Sequence, residues 1–236
     1  MTVTNEQWRA ALAWAWEQYN LWWEITDKRV EYSTRSLNDD HGCPPPLEFF
    51  QASLDGVEKT ATHWQDKPAL WCYPAVYPNQ LDVEIPEGET LPVACMGTQM
   101  WFVLHALKYL GLEDEIPRSQ IEQLKRETLQ HKQGVAGALV NLGWASYTYD
   151  DPEEAEPGDL GCIGYFDDAG NGEIHHWFVV APATREEAHT TYNGNPAILT
   201  LGASPYAEGV GTDPYYKEKT KNGRKRRWLM ARIGEE

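Results

Sequence analysis

The sequence predicts an α+β domain in which N-terminal helices pack on a central antiparallel sheet. Two observations carry the prediction. Apolar residues recur at helical spacing up to about residue 142, whereas from residue 160 the pattern shortens to that of strands. The chain has 236 residues, enough for one large domain or for a domain with an added helical piece. No internal repeat or low-complexity tract divides it. Residues 1–70 read as a helical extension and 71–236 as the main domain.

Thr4 and Gln7 form a capping box before a long amphipathic segment, residues 5 to about 27. Trp8, Leu12, Ala15, Tyr19, Leu21, Trp22 and Ile25 lie on its apolar stripe, which reads as core packing. A polar stretch follows and ends in the stiff run Pro44-Pro45-Pro46. A shorter helix is expected around Leu47 to Thr60, then a proline-rich extended approach over 66–92. Cys95 opens the next helix, whose buried face carries Met96, Met100, Val103, Leu104, Leu107 and Leu110 and which Gly111 stops. Ser119 and Glu122 make a second capping box for a polar helix over about 120–132, and a short helix is expected over 135–142. The acidic stretch Asp150 to Glu156 reads as a surface loop leading to Pro157-Gly158-Asp159. Leu160–Phe166 and Ile174–Val180 are the arms of a hairpin turned by residues 167–172. Further strands are expected at 188–193, 197–201 and 226–233.

Composition narrows the function classes. The net charge of −16 argues against general nucleic-acid binding. The charge is uneven: residues 214–233 hold eight Lys or Arg and one acid, Glu218, which leaves −23 for the remainder. The segment KEKTKNGRKRRW reads either as a solvated hairpin or as a contact surface for an anionic polymer. Four cysteines, Cys43, Cys72, Cys95 and Cys162, match no zinc-ribbon or CxxC spacing, and no metal or organic cofactor is implied. Whether Cys43 and Cys72 pair in an oxidising setting is left open by the sequence, and Cys162 reads as a small buried apolar residue. No apolar run reaches membrane-spanning length, and the N-terminus lacks a secretory signal pattern.

One constellation carries chemistry. A thiol attacks as thiolate, and a helix N-terminus offers partial positive charge and unpaired N–H groups that favour the thiolate and an oxyanion. An imidazole then serves as base and acid, and a third group orients it. The chain supplies these parts in order: Cys95 at a helix start, His175 or His176 on a strand, and Asn193 or Asn195 on a following strand end.

The segments CMGTQMWFVLHALKYLGL, EPGDLGCIGYFDDAGNGEIHHWFVV and YNGNP resemble the NlpC/P60 and CHAP superfamily of papain-like cysteine peptidases and amidases, over roughly residues 91–200. The resemblance implies a papain-like fold for 71–236 and amide hydrolysis through a thioester. Cys95 is then the nucleophile, His176 the base and Asn195 the orienter, with Asn193 and His175 as alternates. His176 is preferred because His176-Trp177-Phe178-Val179-Val180 fits the pattern of a histidine before alternating apolar residues. Strand alternation would then turn His175 to the other face. Two features depart from the pattern: the upstream tyrosine-and-glycine signature is absent, and no glutamine precedes Cys95 as an oxyanion donor. The implied substrate is bacterial peptidoglycan, cut at a stem-peptide or sugar-linked amide. Without a signal, such a protein is made in the cytoplasm and acts outside it after lysis or delivery by a secretion system or virion, with an immunity protein or delivery factor as possible partner. A toxin-like protease or deamidase acting on a host protein, and a degenerate binding module on the same fold, are the alternatives.

Overall fold

A computed structural model describes residues 3–25, 30–32, 91–93, 95–117, 119–120, 123–124, 127, 133–149, 151–204 and 209–234. Helix α1 (Asn5–Ile25) begins where expected. The Thr4 amide donates to Gln7 Oε1 at 2.9 Å and the Gln7 amide donates to Thr4 Oγ1 at 3.1 Å, so two helix-start donors are satisfied reciprocally. Short strands β1 (Val30–Tyr32) and β2 (Leu91–Val93) pair in parallel. Helix α2 (Cys95–Tyr109) follows, and Gly111, at φ 70°, ends that segment and leads into the single-turn α3 (Leu112–Glu115). Helix α4 (Gly134–Asn141) is the short helix expected over 135–142. The helix expected around Leu47 to Thr60, the extended approach up to residue 90, the boundary at residue 70, Cys43, Cys72 and Glu122 of the second capping box lie outside the described residues.

Among the described residues the sheet has eight strands: β3 (Ala145–Tyr149), β4 (Leu160–Phe166), β5 (Gly172–Val180), β6 (His189–Tyr192), β7 (Asn195–Ser204), β8 (Gly209–Tyr216), β9 (Thr220–Lys221) and β10 (Arg224–Ile233). Its order is β3-β10-β4-β5-β7-β6, with β8 on β7 and β9 on β10, and every pairing is antiparallel. A 3-10 turn (Pro152–Glu154) and a single-turn helix α5 (Arg185–Ala188) fill the connections. The architecture is therefore α+β, with helices on a large antiparallel sheet.

Each face of the sheet has its own core. On one face, Val3, Trp8, Leu12, Ala15 and Tyr19 of α1 pack with Met100, Phe102, Val103 and Leu107 of α2, and with Leu160, Val179, Leu201 and Ile233 of the sheet. α1 thus shares one core with α2 and the sheet. Trp8 is fully buried and its indole N–H donates to the Gly158 carbonyl at 3.1 Å, tying α1 to the turn that opens β4. On the other face, Ile163, Phe178, Val180, Ile198, Trp228 and Met230 form a second core, with Tyr215 packed against it. β8 and β10 are far apart in strand order, yet both contribute. The sheet must curl around this second core, as strong right-handed twist allows. The segment after β8 closes the curl: the Trp228 indole donates to the Lys217 carbonyl at 2.8 Å and the Arg226 amide to the Lys219 carbonyl at 2.8 Å.

No described helix is long and apolar enough to cross a membrane.

Candidate functional site

Cys95 is the first residue of α2 and is buried, 5 % exposed. One turn later Gln99 is fully buried, and its side-chain amide donates to the carbonyls of Gly161, at 2.9 Å, and of Phe178. These two residues face each other across β4 and β5. The amide therefore pins the start of α2 to the strand that carries both candidate histidines, two residues from His176. Among the described residues, Gln99 Oε1 and the Trp177 indole N–H are buried and have no hydrogen-bond partner. Cys162, the other described cysteine, is also a buried reduced thiol, and burial pushes it further toward the protonated form.

The histidines depart from the expected alternation. Strand β5 turns Trp177 and Val179 to the helix-covered face and Phe178 and Val180 to the second core. His176 joins the latter set: its ring stacks on Tyr215 at 4.8 Å and on Phe178 at 5.8 Å, and it is 4 % exposed. His175 was expected on the opposite face. Instead the β4–β5 register shifts between Ile163 and Gly164, so Ile163 pairs with His176 and Gly164 with Ile174, leaving His175 as the extra residue of a β-bulge. A bulge interrupts the alternation of side chains. The His175 ring stacks on Tyr165 at 5.0 Å, and the Arg226 guanidinium lies over both Tyr165, at 5.6 Å, and Tyr215, at 5.4 Å. Both imidazoles thus join one aromatic–arginine cluster on the face away from α2.

The electrostatics follow from that placement. Burial first, then the neighbouring His175 and Arg226, lower His176 to about 3. Burial, then the Arg226 and Lys221 charges, lower His175 to about 4. Both rings are neutral at neutral pH. Asp213, 8 % exposed, borders the same cluster; burial raises it, against hydrogen bonds from Ser204 and Tyr215 and the Arg226 charge.

The orienting candidates sit elsewhere. Asn193 (φ 49°) and Gly194 (φ 77°) form the two-residue turn between β6 and β7, the conformation an Asn-Gly pair favours. Asn193 Nδ2 donates to the Tyr216 hydroxyl at 3.3 Å and Asn195 Nδ2 to the Asn193 carbonyl at 3.1 Å, and both residues are exposed. Among the hydrogen bonds of the described residues, neither asparagine contacts an imidazole. Asp159 supports the turn before β4, as its place in Pro-Gly-Asp-Leu suggests. It is fully buried and accepts from Arg232 Nε at 2.9 Å, Arg232 Nη2 at 2.8 Å and the Glu156 amide at 2.9 Å. Burial raises it to about 6 and Arg232 pulls it back. His105 stacks on Trp101 at 3.6 Å and is a core residue, lowered by burial to about 4.

One polar set was not legible in the sequence. The Lys217 ammonium donates to His189 Nδ1 at 3.0 Å and pairs with Glu153 at 2.7 Å. His189 Nδ1 therefore carries no proton, and its Nε2–H donates to the Ala155 carbonyl at 2.7 Å. The set joins residues from three distant segments, and no local pattern announces it. No group of three or more His, Cys, Asp or Glu among the described residues is arranged to hold a metal ion.

Comparison with known proteins gives no match: no family model, no curated protein and no solved structure is similar to this chain.

Proposed function

We propose that the chain is a cysteine-dependent amide hydrolase on a papain-like fold, with Cys95 as nucleophile and peptidoglycan as substrate, cut at a stem-peptide or sugar-linked amide. The observation that carries the reading is the docking of α2. Its first residue is the thiol, and one turn later Gln99 binds the backbone of the histidine-bearing strand. In the reaction the thiolate attacks the amide carbon, and backbone N–H groups at the helix start hold the oxyanion. Collapse expels the amine, which takes a proton from the imidazolium, and water then hydrolyses the thioester. The described arrangement is a resting one in this scheme, because both imidazoles lie on the sheet face away from α2, His176 buried and His175 exposed. Attack requires one ring to turn toward α2, and the bulge at His175 is where β5 has the freedom to re-aim a side chain. An orienting role for Asn195 requires a similar rearrangement of the β6–β7 turn.

The test is incubation with peptidoglycan sacculi and mass analysis of the products. Wild type releases fragments and Cys95→Ala releases none. If His175→Ala and His176→Ala both keep full activity, the imidazole assignment fails. Delivery outside the cytoplasm, by lysis, secretion system or virion, belongs to the same proposal, as does a toxin-like attack on a host protein should sacculi prove inert.

A second reading is a binding module on the same layout. It is favoured by His176, which is neutral and stacked against both Tyr215 and Phe178, away from the thiol-bearing helix. An electrophilic probe separates the two readings: the hydrolase labels at Cys95 at least about tenfold faster than at Cys162, whereas the binding module labels both alike.

A further inference from the structure

The basic segment near the C-terminus is a hairpin, β9 and β10 joined by Asn222 (φ 52°) and Gly223 (φ 75°). A cleft of about 500 Å³ opens beside it, lined by Tyr165, Glu173, His175, Lys221, Asn222 and Arg224. Lys221 and Arg224 stand directly opposite each other in the ladder. Like charges in that position repel. Among the described residues neither is in an ion pair; Arg224 acts on Asp167 only through space, and Lys221 lies over the Tyr165 ring at 5.8 Å. The cleft also offers the Asn222 amide and a neutral imidazole, with Glu173 as its one carboxylate. The lining is thus mainly a set of donors, and Glu173 in the cleft and Asp167 through space offset only part of the repulsion across the hairpin, which an anion from outside would relieve further.

We propose that this cleft binds a phosphodiester-linked polymer of polyols or sugars, one phosphate of which seats between Lys221 and Arg224. The inference does not depend on hydrolysis at Cys95. A polymer fits better than a single small anion because the cations continue past the cleft. Lys219 lies over Tyr216 and acts through space on His175 of the cleft, and the Arg226 guanidinium lies beside it over Tyr165 and Tyr215. Nucleic acid fits poorly. The net charge of the chain is −16, and the aromatic ring of the cleft, Tyr165, already has His175 stacked on it, leaving no open platform for a base.

The experiment uses the full chain and synthetic poly(glycerol phosphate), with poly-glutamate, a single-stranded DNA oligomer and inorganic phosphate as comparison probes. K221A/R224A removes two cations from the cleft, and K219A/K225A removes two from outside it. All four side chains are exposed or half-buried, and circular dichroism checks that both variants fold. We expect K221A/R224A to weaken polymer binding at least about tenfold and to flatten the log–log salt slope by about 1–2, and K219A/K225A to cost less than about threefold. Equal losses in the two variants would show a diffuse charge effect and overturn the site. So would poly-glutamate or DNA binding as tightly as the polymer, inorganic phosphate displacing the polymer phosphate for phosphate, or no polymer binding by wild type.

Discussion

Replacing Trp8 by alanine tests whether the N-terminal helix belongs to the fold or merely precedes it. Trp8 is fully buried between α2 and the sheet, and its indole N–H is spent on the Gly158 carbonyl. Removing roughly 200 Å² of buried aromatic surface at about 25 cal/mol per Å² costs about 5 kcal/mol. That agrees with the roughly 3–5 kcal/mol seen for large-to-small aromatic substitutions in cores. Orphaning the Gly158 carbonyl adds about 1–3 kcal/mol where water cannot reach it. The sum rivals the total stability of an ordinary domain, about 5–15 kcal/mol. Trp8→Phe keeps most of the surface and loses the hydrogen bond, so it should cost about 1–3 kcal/mol. Urea unfolding followed by far-UV circular dichroism reads both. The order expected is wild type, then Trp8→Phe, then Trp8→Ala, with the last close to unfolded in buffer. If Trp8→Ala shifts stability by less than about 1 kcal/mol, the shared core of α1, α2 and the sheet is refuted.

Three further outcomes follow from the same geometry. Arg232→Ala leaves the Asp159 carboxylate buried without its partner and should cost about 3–5 kcal/mol, measured by thermal unfolding near neutral pH. His176 should make the protein acid-sensitive: its folded value is near 3 against 6.5 unfolded, so below pH 6.5 the unfolded chain takes up a proton that the folded one refuses. Stability then falls as the pH drops from about 6.5 toward 3, by up to about 4 kcal/mol from this residue, and His176→Phe should flatten that part of the curve. Asp159, raised to about 6, has the opposite slope between its unfolded value and 6, so the comparison is made against wild type at each pH. Gly161→Ala places a Cβ into the Phe178 ring, which is fully buried between His176 and Trp228, and should cost at least about 1–3 kcal/mol in urea.

Elements with a local signature were legible. The Thr4–Gln7 box, the stop at Gly111 and the hairpin of β4 and β5 all show in a few neighbouring residues, and the structure has them. β8 was missed because Gly209, Gly211 and Pro214 hide its strand pattern; it forms by pairing along its own full length with β7. β3 and the 3-10 turn were missed for a similar reason, being short and held by β10, Arg185 and Arg232 rather than by periodicity. The site was legible as a set of residues and not as a geometry. Cys95 at a helix start and two histidines on a strand are sequence facts, whereas the face each histidine occupies depends on a one-residue register shift against β4. Nothing within HHWFVV encodes that shift. Gly164 on the partner strand was the only hint: the space for a Cβ there is taken by the Glu173 backbone.

The single amide of Gln99 has an implication for how the chain assembles. It can grasp two carbonyls at once only when β4 and β5 already lie side by side with Gly161 opposite Phe178. A hairpin slipped by one step offers it a single carbonyl and exchanges the sides of every residue along the strand. The seating of the helix, and of the thiol at its start, is thus tied to a correctly matched pair of strands.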